Sequence, residues 1–265
     1  MKKRNILCFI LLVLSFLSFL GYKQYRKATD DVTPPRLTCE EKTITASVSV
    51  TEEELLEGVV AYDEVSGDLS DSLFIEDMSD FIDDNTRIVT YAAIDKSRNV
   101  SRLERTLVYT DYKEPEFSLV APLSFPVGSK ANILGNIRAQ SNLDGDLTSN
   151  IRYGLNGVID NLVPGKYEVE YRVTDSCGKT TYLNTEIEIY DKVYSVINVK
   201  LSQYLVYVDK GSKFNAESYF KSSNIEGELT VESNVNTKEE GVYYVDYYVN
   251  GINASGKSRL VVVVK

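Results

Sequence analysis

The stretch Gly165-Lys-Tyr-Glu-Val-Glu-Tyr-Arg-Val173 decides the fold of this chain. Its residues alternate strictly, so that Tyr167, Val169, Tyr171 and Val173 fall on one face of an extended strand and the charged residues between them on the other. Alternation with a period of two is typical of a strand with one face in a core and the other in water. The stretch therefore predicts a half-buried β-sheet.

The same strand occurs twice more. Arg87-Ile-Val-Thr-Tyr-Ala-Ala93 and Tyr243-Tyr-Val-Asp-Tyr-Tyr-Val249 bring Tyr91, Tyr171 and Tyr247 into register. Self-similarity at a fixed period indicates an array of small structural units, each with its own strands. The last strand of the chain, Leu260 to Val264, has no polar residue, and we expect it to be buried on both faces.

Two further features mark the limits of these units. Aspartates are evenly spaced at Asp31, Asp111 and Asp191. Each unit also carries a glycine turn followed by a leucine: Ser66-Gly-Asp-Leu-Ser70, Asp144-Gly-Asp-Leu-Thr148 and Glu226-Gly-Glu-Leu-Thr230. Glycine supplies the positive φ that a tight turn requires. We predict three domains at residues 33–110, 111–190 and 191–265, and we expect them to be separate, like beads on a string.

The repeats resemble the bacterial immunoglobulin-like domains that occur in tandem on Gram-positive surface proteins and in some pesticidal crystal proteins. The shared pattern is Asp-x-x-x-Pro, then Asp-Gly-Asp-Leu-Thr, then Gly-x-Tyr-x-Val-x-Tyr-x-Val-x-Asp. Residues 111–190 match it best, whereas the third repeat lacks the entry proline and has Gly251 where the last aspartate would be. The resemblance implies an all-β chain of three immunoglobulin-like β-sandwiches, a surface location, and spacer, adhesive or ligand-binding roles without shared chemistry.

Leu162-Val-Pro-Gly-Lys-Tyr167 is similar to the tyrosine corner of such sandwiches, in which the phenol hydroxyl bonds back to nearby backbone. The first repeat has Arg87 at the position of Tyr167. The corner is therefore expected in the second repeat and not in the first.

The N-terminus has the layout of an export signal. Lys2, Lys3 and Arg4 precede an apolar run from Ile6 to Gly21. From Ser15 to Ala28 no two residues spaced i, i+2 are both small, which favours an uncleaved anchor. We predict a cytoplasmic tail and transmembrane anchor at residues 1–22, with membrane contact through residues 6–22, and a juxtamembrane linker at 23–32.

The charge of the chain is strongly asymmetric. Residues 1–27 hold six of the 29 Lys+Arg and none of the 39 Asp+Glu, so residues 28–265 carry a net charge of −16. A body this acidic repels phosphate backbones, and no basic stripe with interleaved aromatics counters it. Nucleic acid is therefore not an expected partner. The long acidic body resembles exported modules, and we place it outside the cell on a single-pass anchor.

The composition also limits catalysis. The chain has no histidine, which excludes Ser-His-Asp and Cys-His arrangements. A pair of carboxylates across a cleft could still cleave a glycosidic bond. The candidates, which lie near predicted turns, are Asp63, Asp68, Asp144, Asp146 and Asp175. Solvated or turn-capping aspartates are the favoured interpretation, so we predict a non-enzymatic protein without a cofactor.

Calcium is the alternative use of these residues. Asn142-Leu-Asp144-Gly-Asp146 gathers hard oxygen donors within five residues, but the downstream glutamate of a full calcium loop is missing. A calcium site at Asn142, Asp144 and Asp146 therefore competes with Asx turns, in which each side chain caps its own backbone.

Tyr244 and Tyr248 alternate with the inward residues of the third repeat's central strand and could form an aromatic face that binds a surface protein or a glycan. The alternative is packing between repeats or cross-strand pairing. Two functions follow. One is a spacer or adhesive module at the cell surface, and the other is an accessory carbohydrate- or protein-binding subunit with the third repeat as its reader.

Overall fold

The computed structural model describes residues 2–29, 31–191 and 195–265, and the side chains of these residues except 2–7, 27–29 and 195. The chain is mostly β, with several sheets and one long N-terminal helix. It divides into two compact units, residues 1–110 and 111–265. The predicted boundary after residue 110 falls where the chain divides, whereas the predicted boundary after residue 190 lies inside the second unit. Residues 192–194, at the start of the third repeat, lie outside the described residues.

Helix α1 spans Lys2–Thr29. Within it, the 19 residues Cys8–Arg26 are long and apolar enough to cross a membrane, with a mean hydropathy of 1.5 and no residue buried against the rest of the chain. The expected linker over 23–32 is helical as far as Thr29. Lys, Gln, Arg and Ala favour helices, and the helix ends before Pro34 and Pro35, since a residue that precedes proline disfavours the α conformation.

The first repeat is a two-layered sandwich. One sheet has the strand order β1-β3-β4 and the other β2-β7-β6-β5, with β2 parallel to β7 and the other pairs antiparallel. A short helix α2, Glu52–Leu56, begins with a capping box formed by Thr51 and Glu54. The strands are β1 Arg36–Cys39, β2 Thr43–Ala46, β3 Val59–Asp63, β4 Gly67–Asp68, β5 Phe74–Met78, β6 Thr86–Ile94 and β7 Val100–Tyr109.

The second repeat has the same plan. Its sheets run β11-β10-β8 and β12-β13-β14-β9, and again one short strand, β9, pairs in parallel with the last strand, β14. The strands are β8 Glu116–Leu119, β9 Ser124–Pro126, β10 Ile137–Ser141, β11 Gly145–Asp146, β12 Arg152–Leu155, β13 Gly165–Thr174 and β14 Thr180–Tyr190.

The third repeat is the most divergent, as its sequence predicts. A five-stranded sheet has the order β15-β21-β20-β19 with β17 also parallel to β21, and β16 pairs with β18 in the opposite layer. The strands are β15 Ser195–Val196, β16 Val199–Leu201, β17 Leu205–Val208, β18 Phe220–Ser223, β19 Glu228–Ser233, β20 Gly241–Asn250 and β21 Ala254–Val264. The predicted all-β fold of three immunoglobulin-like sandwiches is confirmed.

A tyrosine lies at the centre of every sandwich. Tyr91, Tyr171 and Tyr247 are all completely buried. Each hydroxyl donates a hydrogen bond to a backbone carbonyl of the segment that leads to the next layer: Leu55 at 2.7 Å, Ile133 at 2.8 Å and Ala216 at 2.5 Å. The three tyrosines that align in the sequence therefore have the same role, because each anchors the connecting segment of its own repeat to the core.

Turn geometry follows the sequence in two repeats. Gly67 and Gly145 have φ of 81° and 74°, the left-handed conformation predicted for the glycine turn. The predicted tyrosine corner is also confirmed, because the Tyr167 hydroxyl donates to the carbonyl of Val163 at 3.1 Å. In the first repeat, the Arg87 Nη2 donates instead to the carbonyl of Met78 at 2.7 Å, as expected from the absence of tyrosine there.

Repeats 2 and 3 are not separate beads. Leu205 and Val261 of the third repeat are buried in the same hydrophobic cluster as Phe117 and Ile187 of the second. The two repeats pack together because strand β21 is apolar on both faces. On one face, Leu260, Val262 and Val264 fill the third repeat's own core. Val261 and Val263 point the other way and are covered by repeat 2, so the strand is buried on both faces, as predicted.

We expect Tyr171→Phe to destabilise the second unit by about 0.5–1.5 kcal/mol, because the half-buried carbonyl of Ile133 would lose its donor. Tyr182→Phe is the matched control, since its ring is 55% exposed and its hydroxyl can bond to water. Urea unfolding of the full chain in detergent, followed by circular dichroism, measures both. Equal midpoints for the two variants would contradict the central role of the tyrosine.

Candidate functional site

Three aspartates converge in the first repeat. Asp31 precedes β1, Asp63 ends β3 and Asp95 directly follows β6. One carboxylate oxygen from each lies within 4.8 Å of the other two. Asp63 and Asp95 are only 3% and 5% exposed. The sandwich thus brings together acidic side chains that are far apart in the sequence, in a place that is closed to most solvent.

Backbone and amide donors hold two of these carboxylates. Asp63 Oδ1 accepts hydrogen bonds from the backbone N–H groups of Val65 and Ser66, at 3.0 and 2.6 Å. Asp95 accepts from Asn99 twice, at Oδ1 from the backbone N–H (2.8 Å) and at Oδ2 from the side-chain amide (2.7 Å). The same amide of Asn99 also donates to the carbonyl of Asp31 at 3.1 Å. These bonds fix the carboxylates in position.

Some of the carboxylate oxygens have no donor. Asp31 Oδ1 accepts from the backbone N–H of Thr33 at 2.9 Å, but Asp31 Oδ2 is buried without any hydrogen-bond partner. The hydrogen bonds to Asp63 all reach its Oδ1, which leaves Oδ2 without one. Within the part of the chain that the structure describes, none of the three aspartates forms an ion pair with Lys or Arg. The cluster therefore concentrates negative charge without a counter-charge from the protein.

The carboxyl of Asp95 is held in its charged form. Burial opposes its ionisation, but the hydrogen bonds from the side chain and backbone of Asn99 and from the backbone of Ser97 and Arg98 outweigh burial and lower its pKa. At neutral pH this group is therefore a carboxylate, which is the form that binds a cation.

In the second repeat, the residues at the positions equivalent to Asp63 and Asp95 have different chemistry and different hydrogen-bond partners. Ser141, which ends β10 as Asp63 ends β3, is neutral and accepts from the backbone N–H of Leu143 at 3.1 Å. Asp175, the counterpart of Asp95, accepts from the phenol hydroxyl of Tyr112 at 2.5 Å. Among the described residues, the group of three acidic side chains with metal-ligand spacing occurs only in the first repeat.

The predicted calcium residues of the second repeat have separate partners. Asn142 Nδ2 donates to the carbonyl of Asp111 at 2.7 Å, Asp144 Oδ2 accepts from the backbone N–H of Ser176 at 2.9 Å, and Asp146 Oδ1 accepts from that of Thr148 at 2.9 Å. Asp146 thus forms the Asx turn that the sequence left open as the alternative. Calcium binding by Asn142, Asp144 and Asp146 stays a prediction.

Tyr244 and Tyr248 lie where the third repeat meets the second. Both are half-buried. The guanidinium of Arg259 stacks over the ring of Tyr244 at 4.9 Å and the ammonium of Lys257 over that of Tyr248 at 5.0 Å. The Tyr244 hydroxyl lies 3.4 Å from Thr185 Oγ1 of repeat 2. The structure thus places the ring of Tyr244 in packing between repeats and that of Tyr248 in a cross-strand pair with Lys257, the two alternatives that the sequence left open. Ligand binding by either ring stays a prediction.

An ion cluster lies under these rings. Arg259 Nε bonds to Asp246 Oδ1 at 2.6 Å, and Arg259 Nη2 lies 3.1 Å from Glu188 Oε2 of repeat 2. Lys257 Nζ bridges Glu188 Oε1 at 2.7 Å and Asp246 Oδ2 at 3.1 Å. The side chains of Arg259 and Lys257 are only 2% and 7% exposed. The two repeats are therefore joined by buried charges as well as by apolar packing.

The cluster keeps its members charged. Burial lowers the pKa of Lys257, but the neighbouring carboxylates raise it by more, and the pKa of Arg259 is raised for the same reason. Burial opposes ionisation of Asp246, whereas the hydrogen bond from Arg259 and both cations lower its pKa overall. Because the pKa of Asp246 is lowered in the folded unit, its ionisation stabilises the unit at pH values above the ordinary carboxyl pKa. This stabilisation is lost as the pH falls through the lowered pKa.

Two open grooves border this contact. One, of about 850 Å³, is lined by Tyr244 together with Glu170 and Asn184 of the second repeat. The other, of about 490 Å³, is lined by Tyr248, Lys257 and Lys166. The two tyrosines thus line separate grooves, where the sequence had placed them on a single exposed face.

Comparison with known proteins gives only a general likeness. No family model and no curated protein matches the chain. Similar solved structures include extracellular cadherin domains 1–5 of protocadherin gamma B2 (12% identity, 88% of this chain and 60% of that one, TM-score 0.20) and mouse cadherin-23 EC22–24 (14%, 88% and 99%, 0.22). Another contains CBM51-2 with GlcNAc and INT domains of Clostridium perfringens ZmpB (14%, 87% and 42%, 0.23).

The chain therefore spans less than two thirds of the protocadherin and ZmpB structures. At TM-scores between 0.20 and 0.23 the likeness carries no information about ligands or function. The assignment of the fold depends instead on this chain's own strand order and registers.

We expect Arg259→Ala to destabilise the second unit by about 3–5 kcal/mol, because it leaves Asp246 and Glu188 buried with too little positive charge. Lys210→Ala is the matched control, since Lys210 and Glu240 form an exposed pair that contributes little. Hydrogen exchange of β20 and β21 in the full chain measures the difference. If exchange in these strands is the same in both variants, the buried cluster does not hold the repeats together.

Proposed function

We propose that this protein is a non-enzymatic, single-pass surface protein whose sandwiches form a spacer or adhesive module outside the cell. The observation that carries the proposal is the joining of an unburied apolar helix, Cys8–Arg26, to a body of acidic β-sandwiches. An apolar helix that the rest of its chain does not bury finds its apolar environment in lipid.

The organisation of the body supports a mechanical role. The second and third repeats share one hydrophobic cluster and a buried ion cluster, so that they resist bending at their junction. The two cations of this contact, Arg259 and Lys257, are engaged in ion pairs and are not free to act on a substrate. Rigid, acidic and highly hydrated domains are suited to a spacer that projects from a membrane and holds other molecules away from it.

Protease treatment of intact cells tests this proposal. We expect trypsin to remove the body of the full-length protein from the cell surface, while the N-terminal tail remains with the membrane fraction. A variant that lacks residues 1–22 is the control, and it should leave the membrane fraction because it has no span. Protection of the body in intact cells, or hydrolase activity of the purified chain on surface polysaccharide, would contradict the proposal.

A binding function is the second candidate, and the groove beside Tyr244 favours it. Glu170 and Asn184 face each other across β13 and β14 and line that groove with the tyrosine. A planar ring beside carboxylate and amide groups offers a sugar both an apolar face and hydrogen bonds. In this second candidate function, the ligand binds in the groove between repeats 2 and 3, and the third repeat contributes the tyrosine ring.

A glycan array with the full chain in detergent tests this candidate. We expect Glu170→Ala and Asn184→Ala each to weaken binding at least about tenfold, because each removes hydrogen bonds to the ligand. Both residues are exposed, so neither change should unfold the protein. Tyr182→Ala, which removes an exposed ring that does not line the groove, is the control. If the wild-type chain binds no glycan, or the control loses as much affinity, the groove is not a sugar site.

A further inference from the structure

We infer that Asp31, Asp63 and Asp95 form a calcium site in the first repeat. The site is independent of the location of the protein and of the binding groove, because all three residues belong to the first unit. In the sequence, Asp63 stands out only as a candidate acid and Asp31 only as a boundary residue.

The spacing of the oxygens fits one ion. Calcium binds oxygen ligands at about 2.3–2.6 Å, so two ligands of the same ion lie at most about 5 Å apart. One oxygen from each aspartate lies within 4.8 Å of the others. The three carboxylates can therefore share one ion without a change of the backbone.

Unsatisfied oxygens supply a second and separate reason. Asp31 Oδ2 is fully buried without a hydrogen-bond partner, and the 97%-buried Asp63 receives hydrogen bonds at one oxygen alone. A buried carboxylate oxygen without a donor, such as Asp31 Oδ2, is costly, and a cation compensates that cost. The second repeat supports this reading, because it replaces the central carboxylate by Ser141 and gives Asp175 a phenol donor.

The donor set selects the kind of cation. All three ligands are carboxylates, which favours a hard cation over zinc or copper. Magnesium keeps several waters and takes one or two carboxylates, whereas calcium accepts more protein oxygens in flexible geometry. Three carboxylates, two of them buried, leave little room for water, and calcium is therefore the better fit.

Asp63→Asn is the main test, because it removes a charge and retains the oxygen that accepts from Val65 and Ser66. In the full chain in detergent and treated with a chelator, we expect added millimolar calcium to slow hydrogen exchange in residues 61–68 and 93–99. We also expect it to raise the unfolding midpoint of the first unit by roughly 5 °C or more. In Asp63→Asn the calcium effect should be lost, while stability in the chelator should equal or exceed that of the wild-type protein.

Asp31→Asn provides a second variant that keeps the bond to Thr33, in case Asp63→Asn folds poorly. Asp146→Asn in the second repeat is the matched control and should retain the full calcium response. Magnesium at the same concentration should have a smaller effect. A wild-type protein that does not respond to calcium, or a response that persists in both Asp63→Asn and Asp31→Asn, would overturn the site. A response lost only in Asp146→Asn would place the ion in the second repeat instead.

Discussion

Each sandwich depends on one buried tyrosine whose hydroxyl reaches a backbone carbonyl of the segment that connects the two layers. The ring supplies a large apolar surface to the core, and the hydroxyl gives a backbone carbonyl of the connecting segment a hydrogen-bond donor. This combination explains why the alternating strand carries tyrosine at its centre in all three repeats although the neighbouring residues differ. A phenylalanine would fill the same space, but it would leave the connecting segment without an anchor.

The second constraint acts between repeats. Strand β21 has too many apolar residues for one sandwich, so its outer face must be covered. The outer face of the last two strands of repeat 3 therefore packs on repeat 2, and the charged residues on that face are buried with it. They are tolerated because cations and carboxylates alternate at ion-pair distance, with Arg259 and Lys257 set between Asp246 and Glu188. The tyrosines of this face stack on the same cations.

The aspartate cluster shows the opposite principle, since its like charges gather without a partner from the protein. Its members precede, end or follow strands at one end of the first sandwich, where the turns of a sandwich come together. The second repeat preserves the architecture of this end but replaces charge by neutral hydrogen bonds. Two copies of one fold thus carry different chemistry at the same position, which is how sites vary on a common scaffold.

The sequence by itself determined the fold class, the repeats, the central strands with their buried tyrosines, the tyrosine corner at Tyr167 and the double-sided burial of Leu260 to Val264. These features are local, because the alternation of apolar and polar residues and the residues typical of turns can be recognised in consecutive positions. Only the tertiary structure decided what covers the outer face of β21, where Tyr244 and Tyr248 lie, and that Asp31, Asp63 and Asp95 meet. Such contacts join residues far apart in the chain, and the pattern of a single strand fixes which face is apolar without fixing what will be packed against it.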